Sequence, residues 1–350
     1  MTRANFAPRA YLAPHMLTRL LESGNPTLVR IAYATGRAEA SAHARRLERP
    51  AVLEGQAAFM VKGKGRSIYD MQGTEHPKPG VPLRGEADRP INDLAADAAY
   101  DHIGVTYDFY KDVLDRRSLD GRGYPISASV RYGHMVANAH WDGSQILLGE
   151  GDGEYFLSFA RSLNIVAHEY THGVISCSSN LAYQGQSGAL NESFCDVMAA
   201  VVVQWRNQES VEQANWIIGG EVVGPKLGVP GFRSFTKDPA FRDHPELGHD
   251  LQPKHMDGLI DDPQDYGGVH VNSGIPSHAF YLAAQTLGGR TWEHVGLIWY
   301  EALIKLGPLA EFRDAAEATV LAARRRFGPS SAETRAVMDA WRAVGLAVEV

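Results

Sequence analysis

The 350-residue sequence has few cysteines, no long apolar run and no excess of positive charge, and each of these absences excludes a class of protein. Its two cysteines, Cys177 and Cys195, permit at most one disulfide bond, which excludes a disulfide-rich scaffold. The longest apolar run, Val197–Val203, is far shorter than the ~20 residues that span a bilayer. A net charge of −7 at neutral pH opposes attraction to nucleic acid. We therefore expect neither a membrane nor a nucleic acid as partner.

The composition is that of an ordinary globular protein. Hydrophobic residues make up 44% and charged residues 21% of the chain, which excludes a largely disordered protein. The length exceeds what one compact core usually holds, so two globular units are predicted. Residues 1–15 include basic side chains but no continuous apolar stretch, so we expect no conventional secretory signal peptide.

Two helices are predicted near the N-terminus. Leu17, Leu20 and Leu21 recur at helical spacing after Pro14, and the Ala- and Arg-rich residues 37–49 favour a second helix.

The Gly- and Lys-rich stretch Lys62–Arg66 then predicts an exposed joint of the kind that proteases cut. Further along, the apolar periodicity predicts strands over residues 126–132 and 145–148 and helices over residues 95–114 and 155–177.

Residues His168–His172 form an H-E-x-x-H sequence. On an α-helix, residues four apart differ by about 40° around the axis and about 6 Å along it, so both imidazoles point the same way. They could then share one tetrahedral zinc ion, with Glu169 placed to take a proton from a metal-activated water. A chance match is the alternative for this motif alone.

A second cluster of side chains follows 20 residues later. Asn191 and Glu192 open a predicted helix, and Asp196 lies four residues after Glu192 on the same face. One carboxylate could be the third zinc ligand and the other could orient a ligand histidine. Three protein ligands leave one position for water, as in catalytic rather than structural zinc sites. A solvated helix face is the alternative.

Together these motifs resemble those of the thermolysin-like metallopeptidases. Two further segments resemble the same family: Asn138–Gln145, which is similar to its edge strand beside the cleft, and Asp265–Gly274. Matching segments run from about Asp93 to the C-terminus. The resemblance implies an α+β, two-domain zincin fold, with a mixed α/β N-terminal domain, a helical C-terminal domain and an active-site cleft between them.

The resemblance also implies a role for each matching residue. His168, His172 and Glu192 would bind Zn²⁺, and Glu169 would be the general base. The remaining roles are oxyanion stabilisation by His270 with Tyr183, orientation of His270 by Asp265, support of the ligands by Asn191 and Asp196, and substrate binding by Asn138, the Ala139 carbonyl and Arg233. Without the resemblance, Tyr183 and Arg233 are equally well explained as ordinary core or surface residues.

The calcium sites of the larger family members should be degraded here. Positions expected to carry carboxylates read Asn164, Val203 and Ile217, which leaves too little oxygen charge for a paired site. Calcium binding is therefore expected to be missing or reduced.

The N-terminus resembles the short propeptide of the protealysin-like subgroup. Leu12–Leu17 is similar to that propeptide, and Ser67–Asp70 is similar to the start of the mature chain. The resemblance implies a zymogen cut near Lys62–Arg66, with a propeptide-like segment and joint over 1–65, a catalytic N-terminal domain over 66–185 and a helical C-terminal domain over 186–350. No cysteine precedes Cys177, so latency would rest on steric occupation of the cleft.

The predicted function is that of a zinc endopeptidase which cleaves before bulky hydrophobic residues, a preference inherited from the family. Its partners would be peptide or protein substrates and its own propeptide, and it would act as a monomer. The family resemblance implies secretion without a recognisable signal peptide, and a cytoplasmic location is the alternative. A binding protein that kept the fold, or a zinc hydrolase of other substrates, are the competing functions; whether Cys177 and Cys195 form a disulfide stays open.

Overall fold

In a computed structural model, the structure describes residues 11–48, 63–75 and 80–348, and the side chains of all of these except 43–48. The chain divides into two compact units. The first comprises residues up to Val174 together with Gly219–Phe232 and Ala240–Asp250, and the second comprises Ile175–Ile218, Arg233–Pro239 and Leu251–Val350. Within these described ranges, every helix falls short of the length and hydropathy that a membrane span requires.

The first unit contains a five-stranded mixed sheet in the order β2-β1-β3-β5-β4. β1 pairs antiparallel with β2 and parallel with β3, which pairs parallel with β5, and β4 pairs antiparallel with β5 at the edge. The strands are β1 (Arg66–Asp70), β2 (Val81–Gly85), β3 (Ile126–Val130), β4 (Ala139–Trp141) and β5 (Ile146–Leu148). The edge position predicted for the segment after Asn138 is confirmed.

The helices that the structure describes in this unit are α1 (Pro14–Glu22), α2 (Pro26–Glu48), α3 (Leu94–Asp112) and α4 (Leu163–Ser176), of which α4 extends two residues into the second unit. A proline at the first position starts α1 and α2, where its missing N–H is not needed. Asp93 caps α3 by accepting from the N–H groups of Ala95 and Ala96. Leu17 and Leu20 are fully buried on α1, as their helical spacing predicted.

The predicted helix over residues 155–177 is wrong in its first third. Only a 3₁₀ turn over Phe159–Arg161 precedes α4, which begins at Leu163. The backbone of these residues is paired with another segment instead: Phe156 forms an antiparallel bridge with Val223, and the Leu157 N–H donates to the Val222 carbonyl, so these groups are not available to a helix.

The predicted exposed joint is also wrong at its C-terminal end, while Lys62 lies outside the described residues. Arg66 is only 9% exposed, pairs with Glu86 at 2.8 Å and packs on the Tyr100 ring 3.6 Å from its centre. Lys64 forms an ion pair with Asp108. The chain is therefore held against α3 from Lys64 onward.

The second unit is mainly helical. Its helices are α5 (Gly185–Asn207), α6 (Val269–Asn272), α7 (Gly274–Leu287), α8 (Val295–Leu303), α9 (Phe312–Phe327) and α10 (Ala332–Ala343), beside the short strands β6 (Ile217–Ile218) and β7 (Arg233–Ser234). Trp299 and Trp341 stack at 6.2 Å in its core. α5 begins six residues before Asn191, the predicted start, and its buried residues extend back to Ser187. Cys177 and Cys195 are not joined by a disulfide.

Candidate active site

In the first unit, α4 brings His168 and His172 together as their spacing predicted. Their Nε2 atoms lie 3.1 Å apart and the side chains are 1% and 7% exposed. Two nitrogens bound at about 2.05 Å to one tetrahedral zinc would lie about 3.3 Å apart. The pair therefore fits a shared ion with little adjustment. Glu169, between them on the same helix, is also buried.

The helix that carries these residues is held closely against the rest of its unit. The Tyr110 hydroxyl lies 2.8 Å from Thr171 Oγ1, and the Tyr110 and Tyr170 rings lie 5.2 Å apart. A Cβ on Gly173 would approach Leu119 to 3.0 Å, so the absence of a side chain there permits this packing. These contacts fix the position of α4, and with it the histidines, within the first unit.

Asn138 lies just before the edge strand β4 and is fully buried. Its Oδ1 accepts from the backbone N–H of Ala139 at 2.9 Å and from that of Tyr11 at 2.6 Å. Its Nδ2 donates to Glu39 Oε1 at 2.8 Å. The predicted substrate-binding side chain is thus already bonded to two residues of the N-terminal segment.

Tyr11 inserts its ring beside the histidine pair. The ring packs edge-on against Phe159 and Phe232, each at 6.2 Å, and against His168 at 5.7 Å. Its hydroxyl points to Asn164 Oδ1 at 3.5 Å. Tyr11 is 2% exposed, so its side chain is buried in the cavity that these rings form.

Neither Tyr11 nor Glu39 was predicted as a site residue. Glu39 lies on α2 among the buried Thr35, Ala38 and Ala42, so an acidic residue on an apolar helix face was the available signal. Burial raises the pKa of Glu39 well above its ordinary value, and the hydrogen bond from Asn138 only partly opposes this. Its Oε2 has no hydrogen-bond partner among the described residues.

In the second unit, α5 and α6 bring Tyr183, Glu192 and His270 together. The Tyr183 hydroxyl donates to Glu192 Oε1 and lies 3.1 Å from His270 Nε2. Glu192 Oε1 is 3.8 Å from the same nitrogen, and Glu192 and His270 are at most 2% exposed. Three residues that the sequence proposed for one site are therefore neighbours.

Asp265 is hydrogen-bonded to both the ring and the backbone of His270. Its Oδ1 lies 2.6 Å from His270 Nδ1, and its Oδ2 accepts from the backbone N–H groups of His270 and Val271. Burial alone would lower the pKa of His270, but the carboxylates of Asp265 and Glu192 outweigh it and raise the pKa above its ordinary value. Gly267 and Gly268, at φ of +82° and +81°, form a tight loop before His270, in a conformation that other residues rarely adopt.

The other residues proposed in this unit have defined partners. Arg233 Nη2 donates to Asp196 Oδ1 at 2.7 Å in a buried ion pair. Asn191 Nδ2 donates to the Leu181 carbonyl at 3.1 Å and so fixes the loop before α5. Arg233 is therefore held by Asp196 with its guanidinium in a set orientation.

Residues 52–176 match the profile described as the thermolysin metallopeptidase catalytic domain, and residues 179–346 match that of the thermolysin metallopeptidase alpha-helical domain. Together the two matches cover most of the chain.

Individual relatives agree with these matches. The chain is 42% identical over 285 residues to an extracellular metalloprotease of Pectobacterium carotovorum subsp. carotovorum, covering 81% of each protein. It is 41% identical to protease PrtS of a Photorhabdus strain, covering 81% of this chain and 77% of that protein. Among solved structures, it resembles the precursor of protealysin, a metalloproteinase from Serratia proteamaculans, with a TM-score of 0.85, 38% identity and coverage of 97% and 100%.

Proposed function

The chain belongs to the thermolysin family of zinc metalloendopeptidases, and we propose that it is made as a latent enzyme whose own N-terminal segment occupies the substrate-binding residues. The observation that carries the proposal is the insertion of Tyr11. Its backbone N–H bonds to Asn138, and its ring covers His168.

We assign the zinc ligands to His168, His172 and Glu192. The 3.1 Å separation of the two histidine nitrogens supports the first two, and Glu192 follows from the sequence pattern of the family. Bound zinc supplies Lewis-acid activation of the scissile carbonyl and of the attacking water.

The remaining chemistry falls to side chains of the protein. Glu169 accepts the proton of the attacking water and later delivers it to the leaving amine. His270 and Tyr183 donate hydrogen bonds to the oxygen that becomes negatively charged as water adds to the carbonyl. The raised pKa of His270, caused by Asp265 and Glu192 against the effect of burial, favours its donor form.

Peptide substrates would bind as an added strand along β4. The Asn138 side chain and the Ala139 carbonyl would pair with the substrate main chain, and Arg233, held by Asp196, would bind a substrate carbonyl. The aromatic walls formed by Phe159 and Phe232 favour a bulky hydrophobic residue after the scissile bond.

Latency would be steric. α1 and α2 present Tyr11 to the site and Glu39 to Asn138, so substrate cannot reach these groups until the segment leaves. Because the chain is anchored from Lys64 onward, we place the maturation bond on the N-terminal side of Lys64, within the propeptide-like residues 1–65.

We further propose a catalytic domain over 66–185, a helical domain over 186–350, a missing or reduced calcium site, and a monomer. Secretion is supported by the Pectobacterium relative, which is named as extracellular.

Intact mass measured over time tests the proposed function. We expect purified chain to lose its N-terminal segment without chelator and to keep it with a zinc chelator. A Glu169→Ala chain should remain full-length alone and should be cut when mature wild-type enzyme is added. Cleavage that ignores both chelator and Glu169→Ala would contradict the proposal and would favour a binding protein cut by a contaminant.

A further inference from the structure

The far end of the cavity that holds Tyr11 is polar, although its walls are aromatic. The Tyr11 hydroxyl reaches Asn164 Oδ1, and Asn164 is 6% exposed on the first turn of α4. Among the described residues, the Asn164 side chain has no other hydrogen-bond partner. An amide in this position is costly to bury unless a ligand satisfies it.

A glycine provides the room for the hydroxyl. A Cβ on Gly219 would lie 2.8 Å from the Tyr11 hydroxyl, 2.9 Å from its ring and 2.7 Å from Phe232. Gly219 also has a φ of +84°, a conformation that other residues rarely adopt. The cavity is consequently as long as a tyrosine and longer than a leucine or a valine requires.

We infer that this cavity selects tyrosine in substrates, with Asn164 as the residue that recognises the phenol hydroxyl and Gly219 as the residue that admits it. The inference rests on the proposed function, because it takes the cavity filled by Tyr11 as the one that receives the residue after the scissile bond. In the latent chain, Tyr11 occupies it in the manner of a substrate residue.

The Asn164 acceptor favours a tyrosine over a phenylalanine in this cavity. A phenylalanine ring would match the walls formed by Phe159 and Phe232 but would leave Asn164 Oδ1 without a donor. Discrimination by one neutral hydrogen bond is typically about 2- to 12-fold. Since the O···O distance is 3.5 Å, we expect a preference of about 3- to 5-fold.

Internal competition between two peptides measures this preference directly. The full-length chain is first allowed to mature. Two peptides that differ only by Tyr or Phe after the scissile bond are then incubated together with it, and the ratio of their products is measured by mass spectrometry. This ratio equals the ratio of kcat/KM whatever fraction of the enzyme remains latent. We expect tyrosine to be favoured about 3- to 5-fold.

Two variants assign the preference to Asn164. Asn164→Leu should bring the ratio to one while the Phe peptide is still cut, and Asn164→Asp, which keeps an acceptor oxygen, should retain the preference. As a second position, Gly219→Ala should shift cleavage from both aromatic peptides toward a Leu peptide.

Three results would overturn the inference. Equal cleavage of Tyr and Phe peptides by the wild type would remove its basis, and a preference that survives Asn164→Leu would remove the role of Asn164. If no peptide were cut although the chain had matured, the proposed function itself would fail and the inference with it.

Discussion

Replacing Tyr11 by alanine should release the N-terminal segment from the site. Tyr11 is 2% exposed and packs against three rings, and truncation of such a buried aromatic residue costs about 3–5 kcal/mol. Because each 1.4 kcal/mol is a factor of ten, the fraction of chains with the segment undocked should rise by about two to three and a half orders of magnitude.

Hydrogen exchange measures this effect without interference from cleavage. Tyr11→Ala is made in the inactive Glu169→Ala chain, and amide protection is followed in α1, where Leu17 and Leu20 are buried. Protection should fall sharply in α1 and remain unchanged in α10.

The chain offers a matched control for this experiment. Tyr33 lies on α2 of the same segment but is 59% exposed, so Tyr33→Ala should change the stability by no more than about 0.5 kcal/mol. Equal protection in the Tyr11 and Tyr33 variants would refute the claim that the Tyr11 ring holds the segment in place.

Three further predictions concern pH, proton transfer and orientation. Burial raises the pKa of Glu39, so the docked segment binds a proton that the released segment loses, and docking should weaken as pH rises above the ordinary carboxyl range. Amide protection of α1 should therefore fall as pH rises in the Glu169→Ala chain. Glu39→Gln in that chain should flatten this pH profile. Glu169→Gln should lower kcat by at least about 100-fold and leave the zinc content unchanged, as measured by elemental analysis. Asp265→Asn should lower kcat with little change in KM, because it removes the acceptor that orients His270 Nδ1, and steady-state kinetics would show this split.

Each of these has an outcome that would count against it. If α1 protection in Glu39→Gln depended on pH as it does without that change, a group other than Glu39 would be its cause. Full activity in Glu169→Gln would remove its role as base, and a pure KM effect in Asp265→Asn would indicate a role in substrate binding instead.

The residues whose placement depends on local periodicity could be predicted from the sequence. Spacing of four on one helix was sufficient to bring His168 and His172 within 3.1 Å of each other. The helix over residues 155–162 was predicted wrongly because the backbone of Phe156 and Leu157 pairs with residues 222–223, which are more than 60 residues away and leave no local signal.

The contacts of the N-terminal segment could not be predicted in the same way. Tyr11 and Asn138 are 127 residues apart, and Glu39 and Asn138 are 99 apart, so no periodic signal joins them. The buried Arg66 was missed for a related reason, since its partner Glu86 and the Tyr100 ring lie on other elements of the fold.

Zinc stoichiometry measured by mass spectrometry of the native protein tests the central claim most directly. We predict one zinc per wild-type chain, and its loss on mild acid treatment in His172→Ala and Glu192→Gln under conditions where the wild type retains it. Wild-type chain without zinc after purification in zinc-containing buffer, or equal retention of zinc by both variants, would contradict the proposed ligand set.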